Sequence, residues 1–428
     1  MNRLLKSQKP LFWSRLDNAA KIFPPTSSKR DSKVFRFSCE LTEEVDPQAL
    51  QTALDQTLEQ FPFYRSSLKK GLFWYYLEGT ARRPQVQPER LPPCTELYRG
   101  QSSDPLFRVV WYRRRISLEA YHALTDGTGA LHFLRVLVYH YLLIVHRDAF
   151  PKGAPAIDYD ASHTQKMDDG FARYYARDRR APAGKPVKAF HLRGETLSKG
   201  VLSVVEGAMV LKPLLAAAKS YHTTLTVFLT AVMMQAIHSQ MTLRDERRPV
   251  VVSVPVNLRN YFPSDTARNF FGVVNVSYDF RTGSGELDDV IRVISESLKE
   301  QLTEEKLAQR MNRLAALEHT MLVRVIPLFI KIPVLRFFHW NSEKEVTAAF
   351  SNLGRIDMPP AMRQWIRLFD VFLSTRRMQA CASSFEDRFV ITFTTPLASC
   401  EVERNFFRIL SGMGIDVIVT ANHPEEVD

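Results

Sequence analysis

A histidine, three spacers and an Asp-Gly pair, in the run Tyr121-His122-Ala123-Leu124-Thr125-Asp126-Gly127, form the stretch of this chain best suited to chemistry. An alcohol or amine becomes a competent nucleophile only as its proton leaves. A neutral imidazole, with an ordinary pKa of about 6.5, is the usual acceptor of that proton near neutral pH. His122 is therefore assigned as a general base, and the chemistry it points to is acyl transfer. The competing reading is a buried core histidine beside an aspartate that caps a helix. No Gly-x-Ser-x-Gly elbow is present, and no histidine–cysteine arrangement stands out as a nucleophile pair. His132 and His140 are eight residues apart in an apolar helix pattern, and His319, His339 and His423 are isolated, so no metal site is expected.

The motif sits between two elements that must position it. Ile116, Leu118, Ala120 and His122 alternate with Ser117, Glu119 and Tyr121, which in a strand projects the histidine from the apolar face. Behind it, Gly127 and Gly129 flank Thr128 and open an apolar helix over residues 131–145. The loop is thereby given torsional freedom and a place near a positive helix pole. Upstream, strand patterns at 34–41, 72–77 and 107–112 surround a helix at 46–60 carrying Leu50, Leu54 and Leu58. Residues 147–197 turn rich in Pro, Gly and charge. The second half restarts with a strand at 201–211, helices at 213–220 and 225–241, and strands at 249–256 and 272–280. A helix with a Leu287, Val290, Ile291, Ile294, Leu298 stripe follows, then strands near 346–350, 370–374, 388–394 and 416–420, and a helix at 400–413. A chain of 428 residues exceeds what one core usually serves. The expectation is an α/β protein with an N-terminal subdomain over 1–165, a linker over 166–197 and a C-terminal subdomain over 198–428.

Three further runs follow far downstream: Val254-Pro255-Val256-Asn257-Leu258-Arg259, Asn269-Phe270-Phe271-Gly272 and Ser351-Asn352-Leu353-Gly354. In this order and at these separations, the set with His122 resembles the chloramphenicol acetyltransferase and condensation-domain superfamily, and within it the stand-alone alcohol acetyltransferases. The resemblance implies two chloramphenicol acetyltransferase-like subdomains, each a mixed open sheet with helices, facing each other across an active-site tunnel. It implies that His122 deprotonates an acceptor that attacks a thioester directly in a ternary complex, without an acyl-enzyme. It gives Asp126 a structural role paired with Arg259, with Gly127 permitting the turn. Asn269 and Gly272 fall where a close lobe-to-lobe contact is expected. For an oxyanion donor or a tunnel position, Ser351, Asn352 and Thr395 are candidates, and each is equally explained as a turn residue. Tyr121 stands where amide-forming condensation domains often carry a second histidine, and no Asp-Phe-Gly-Trp-Gly signature of plant acyltransferases is present. The implied reaction moves an acyl group, acetyl or longer, from acyl-CoA as co-substrate to the hydroxyl of a small-molecule or lipid alcohol, with no permanently bound cofactor. The alternatives are a carrier-protein-bound acyl donor with ester or amide formation, and a non-catalytic lipid- or carrier-binding relative.

Lys plus Arg outnumber Asp plus Glu by 57 to 46, a net charge of +11 that suits polyanionic partners such as nucleotide phosphates. No nucleic-acid signature accompanies it, and Arg113-Arg114-Arg115 reads as a solvated hairpin tip. Cys39, Cys94, Cys381 and Cys400 have no paired spacing, and residues 1–18 lack the apolar core of a signal peptide, so a cytoplasmic protein is expected. The apolar stretch 321–340 is interrupted by Arg324, Pro327, Lys331, Pro333 and Arg336 and does not read as a membrane span. It reads first as packing inside the second lobe. Peripheral contact with a membrane, through Phe329, Phe337, Phe338 and Trp340 beside Lys331 and Arg336, is the further reading.

Overall fold

The computed structural model describes residues 12–100, 103–151, 153–157, 170–175, 187–319 and 325–422. Their α/β fold has two lobes built on open sheets. The first lobe carries a five-stranded sheet in the order Ile366–Leu373, Val34–Leu41, Arg115–Tyr121, Phe107–Tyr112, Gln87–Pro88. Helix Pro47–Gln60 packs on helix Gly127–Val145, and the latter lies against the two central strands. Helix Pro47–Gln60 begins where Asp46 accepts from the Gln48 and Ala49 N–H groups, and buries Leu50, Leu54 and Leu58. Each such side chain stabilises by ~1.5–3 kcal/mol. Helix Gly127–Val145 starts four residues before the expected position because Asp126 caps it.

The alternating strand has a covered second face as well. Glu119 is fully buried and accepts from Arg36, Arg108 and the Cys94 N–H. Ser117 bonds Ser38 at 3.0 Å, and the Tyr121 hydroxyl bonds Ser27 at 2.8 Å.

The second lobe carries a mixed seven-stranded sheet in the order Phe271–Tyr278, Val250–Asn257, Ala348–Arg355, Met378–Phe385, Arg388–Thr395, Ser203–Val210, Val417–Ala421. Helices Leu225–His238, Leu287–Gln301 and Glu401–Gly412 pack together beside it, the first buried over most of its length.

The chain does not divide between the lobes as the sequence suggests. Strand Ile366–Leu373, expected in the second lobe, pairs antiparallel with Val34–Leu41 and is an edge strand of the first sheet, Phe369 opposite Cys39 and Val371 opposite Phe37. Its other contacts run to the second sheet, where Ser383 Oγ donates to Phe369 O and Thr394 Oγ1 to Leu373 O. Ile356, Met358 and Met362 also belong to the first lobe's core. Of the expected linker 166–197, residues 166–169 and 176–186 lie outside the described residues. Within it, Gly170–Arg173 is a short helix whose Phe171 packs edge-on to Phe270.

Arg115 departs from the expected solvated tip. Arg113 and Arg114 are exposed, but Arg115 turns inward and bridges Glu40 of its own sheet, at 3.0 Å, to Glu206 of the second lobe, at 2.9 Å. Beside it lies Asp370, fully enclosed and accepting from Thr392 Oγ1. Burial and the neighbouring Glu206 push the Asp370 carboxyl up to about 7, against the pull of Arg115. An unfolded aspartate titrates near 3.9, so between these values the folded state holds the extra proton, and the contribution of this group to stability falls as pH rises. Asp370→Asn, which keeps an acceptor for Thr392, is expected to melt above wild type at pH 8, with the gap narrowing at pH 5. Thermal unfolding at the two pH values checks this, and equal melting at both would remove the assignment.

Candidate active site

His122 lies in the turn between strand Arg115–Tyr121 and helix Gly127–Val145, and its backbone N–H donates to Lys33 O at 2.9 Å. The ring borders a cavity but is otherwise walled in. Phe23 stacks on it at 4.3 Å between centroids, Phe35 meets it edge-on at 5.1 Å, and Phe271 of the second lobe lies at 5.5 Å. Nδ1 lies 3.1 Å from Asn269 Oδ1.

The surroundings of Asn269 settle which nitrogen carries the proton. The Asn269 amide nitrogen donates to His122 O at 3.0 Å and to Asp17 Oδ2 at 3.2 Å. Two acceptors on that side fix the amide orientation and direct Oδ1, which can only accept, at the imidazole. Nδ1 is then the N–H and Nε2 the lone pair. Enclosure by protein holds the imidazole below its ordinary pKa, against the opposing pulls of the Asp126 charge and the Asn269 bond. Neutral imidazole is the form present at pH 7.

The Asp126 carboxylate turns away from the ring. Oδ1 accepts from the Gly129 N–H at 2.9 Å, capping the helix. Oδ2 accepts from Arg259 Nη1 and from the Phe270 N–H, each at 2.8 Å, and Nη2 of Arg259 reaches Oδ1 at 3.3 Å. Helix cap and arginine partner are one carboxylate used twice. Arg259 follows strand Val250–Asn257, and its Nη2 donates also to Thr266 O and Arg268 O, so it organises the same segment that delivers Asn269.

The cavity, about 910 Å³, is shared by the lobes. Phe35, Phe37, His122 and Gly127 line it from the first, and Val254, Asn257 and Ser351 from the second. Thr224, which accepts from the Val227 N–H at the start of helix Leu225–His238, brings that helix terminus to its wall.

Residues 206–357, about a third of the chain, match the alcohol acetyltransferase family. The matched segment is alcohol acetyltransferase-like, and the fold is that of the condensation domains. Among solved structures it is similar to F. graminearum TRI101 in complex with coenzyme A and T-2 mycotoxin (12% identity, TM-score 0.63, covering 95% of this chain and 99% of that one). It is also similar to TRI3 trichothecene 15-O-acetyltransferase from Fusarium sporotrichioides (11%, TM-score 0.60, 94% of each chain). A third is the first condensation domain of the calcium-dependent antibiotic synthetase with a substrate analogue (15%, TM-score 0.63, 95% and 97%). At these identities the structural likeness is one of fold. No curated protein matches the chain by sequence.

Of the three oxyanion or tunnel candidates, the fold brings two to the cavity. Ser351 and Asn352 line it, but the Asn352 amide is engaged, donating to Thr226 Oγ1 at 3.0 Å and accepting from the Gly354 N–H at 2.9 Å. Thr395 does not line it. That hydroxyl is buried at the end of its strand and accepts from the Leu397 N–H, a turn role. Sequence reasoning missed Phe23, Phe35 and Asp17, whose types carry no motif, and Gln379 and Cys381, which reach the cavity from a strand not expected at all. Burial pushes the Cys381 thiol up to about 12, so it is no nucleophile at neutral pH.

Gly127 proves less demanding than expected and Gly129 more so. Gly127 has no left-handed torsion, and a Cβ there would find Leu353 at 3.5 Å and Phe37 at 3.7 Å, ordinary contacts. At Gly129 a Cβ would lie 2.1 Å from Ala267 O and 2.3 Å from Thr125 Oγ1. Gly129→Ala is expected to cost ~1–3 kcal/mol or more, and Gly127→Ala under ~1 kcal/mol. Chemical denaturation of the two variants tests the ranking, and a Gly127 variant that unfolds first would reverse it.

Proposed function

We infer that this protein is an acyltransferase that moves an acyl group from acyl-CoA to the hydroxyl of a small-molecule or lipid alcohol, with Nε2 of His122 as general base. The observation that carries the reading is the Asn269 bond to Nδ1, which leaves Nε2 as an acceptor on a neutral ring beside a cavity shared by both lobes. The TRI101 neighbour, solved with coenzyme A, supports the donor class. A cytoplasmic setting is part of the proposal, as is the assignment of Asp126, Gly127 and Arg259 as the supports of the base.

In the mechanism, the acceptor oxygen bonds to the thioester carbon as its proton passes to Nε2. The imidazolium that forms is held by Asn269 at Nδ1–H and feels the Asp126 charge. Collapse of the tetrahedral intermediate breaks the carbon–sulfur bond, and the proton on Nε2 passes to the departing thiolate. The ester and free CoA leave, and the base is restored. Ser351 is the proposed donor to the intermediate's oxyanion.

Thiol release from acetyl- and longer-chain acyl-CoA with a panel of alcohols, with products identified by mass, tests this. His122→Ala is expected to lose ~10²–10⁴-fold in kcat/KM while staying folded. Because the imidazole titrates below its ordinary value, kcat/KM of the wild type is expected to rise with pH to a midpoint under about 6.5 and stay level through neutrality. Acceptor-dependent release equal in both proteins would sink His122 as base. Release only from carrier-bound pantetheine would move the donor to a carrier protein.

Asn269→Ala removes the tautomer lock without touching substrate. It is expected to lower the plateau by roughly tenfold or more and to move the pH midpoint further down, since the lost bond had favoured the charged ring. An unmoved midpoint with lower activity would make Asn269 a packing residue only.

A further inference from the structure

Helix Leu328–Ser342 is built inside out. Its basic side chains turn toward the protein: Lys331 is buried, with Nζ 3.7 Å from the Trp74 ring centroid and donating to Phe73 O at 3.1 Å. Arg336 Nε donates to Pro25 O at 2.7 Å, and His339 lies 3.4 Å from Lys33 Nζ. Its apolar side chains face solvent. Phe329 and Phe337 form one row along the helix, and Ile330, Val334 and Phe338 a second row beside it. These five are between 48% and 66% exposed, and Trp340 is 52% exposed. Exposed Leu72 and Phe73 continue the patch where Leu72 O accepts from the Leu328 N–H. The packing inside the second lobe that the sequence suggested for this stretch is therefore not what these aromatics do, and residues 321–324 of it lie outside the described residues. A contiguous apolar surface of this kind marks an interaction face.

The rim of the patch identifies the partner by charge. A cavity of about 780 Å³ beside the helix is lined by Lys29, Arg30, Arg99, Lys199 and Arg336, with Glu96 its one lining acid. An adjoining cleft of about 310 Å³ shares Arg30 and Lys199 and adds Lys344, Arg376 and Arg377 around Trp340, with Glu343 as the acid. Exposed aromatic side chains beside concave cationic pockets match a surface that offers hydrocarbon and phosphate side by side.

We propose that helix Leu328–Ser342 docks on anionic membranes, its aromatic face entering the headgroup–acyl boundary while Lys29, Arg30, Lys199 and Arg376 meet lipid phosphates. This inference does not rest on the acyl-transfer reading. It has a structural consequence for the site, because the helix holds Pro25 and Lys33, which flank the Phe23 that stacks on His122 and the carbonyl that fixes His122. Docking therefore presents the basic cavity at the lipid surface, close to the wall of the base.

Co-sedimentation of the full chain with vesicles tests it, comparing phosphatidylcholine alone with phosphatidylcholine containing about 30% phosphatidylglycerol. The wild type is expected to partition onto the anionic vesicles, and less so at about 0.5 M NaCl. Phe337→Ser/Phe338→Ser/Trp340→Ser, at solvent-facing positions, is expected to cut partitioning by about tenfold or more with an unchanged melting temperature. Lys29→Glu/Lys199→Glu/Arg376→Glu is expected to bring anionic binding down to the neutral level and serves if the first variant misfolds. Binding unaffected by both variants, or equal on neutral vesicles, would overturn the proposal. So would absence of vesicle binding together with a dimer that the aromatic variant abolishes, which would give the face to a second copy of the chain.

Discussion

The structure depends on one buried carboxylate. Asp126 accepts from the helix terminus behind it, from both terminal nitrogens of Arg259 and from the Phe270 N–H, so one group closes the His122 loop and ties it to the other lobe. Removing an ion pair from water is costly and is recovered only when the geometry is good and the remaining lone pairs are satisfied. Both conditions hold here, since Arg259 spends its other protons on carbonyls of Thr266, Arg268 and Phe270. Taking away one partner would strand the other, a loss of ~3–5 kcal/mol in such settings. The pair therefore earns little net stability while fixing where residues 266–270 run.

What that segment delivers is Asn269, and with it the tautomer of His122. A histidine enclosed by Phe23, Phe35 and Phe271 is driven toward neutrality by desolvation alone, but desolvation does not choose between the two neutral tautomers. The choice comes from an amide oxygen of the second lobe, oriented by Asp17 and by the backbone carbonyl of His122. The same loop that carries His122 thus helps orient the group that sets its tautomer.

Much of this was legible in the sequence, and the failures have physical causes. The strand ending at Tyr121 and the long apolar helix showed in their periodicity, and the Asp126–Arg259 pair followed from a resemblance rather than from spacing. Strand Met378–Phe385 went unseen because Ala380, Ala382, Ser383 and Ser384 are poor strand formers. Small side chains are what a strand buried along its whole length, hydrogen-bonded on both edges, can accommodate. Membership of strand Ile366–Leu373 in the first sheet is a matter of pairing between residues more than three hundred apart, which no local pattern encodes. Gly127 drew attention through its place in a motif, whereas the glycine with no room for a side chain is Gly129, a property of the Ala267 carbonyl approaching from the other lobe.

These links bear on how the substrates of the proposed reaction reach His122. Strand Ile366–Leu373 hydrogen-bonds to the first sheet along its length while bonding Ser383, Thr392 and Thr394 of the second. Arg115 joins Glu40 to Glu206, and Thr125 Oγ1 donates to Ala267 O. Opening the lobes would break these bonds to the second sheet, expose the buried Asp126–Arg259 pair and release the tautomer of His122 together, so a hinge at this interface would dismantle the site it was meant to admit substrate to. Entry to the cavity without separating the lobes meets none of these costs. In the proposed reaction, donor and acceptor then meet at Nε2 within a frame already set, with the positioning supplied before binding rather than by it.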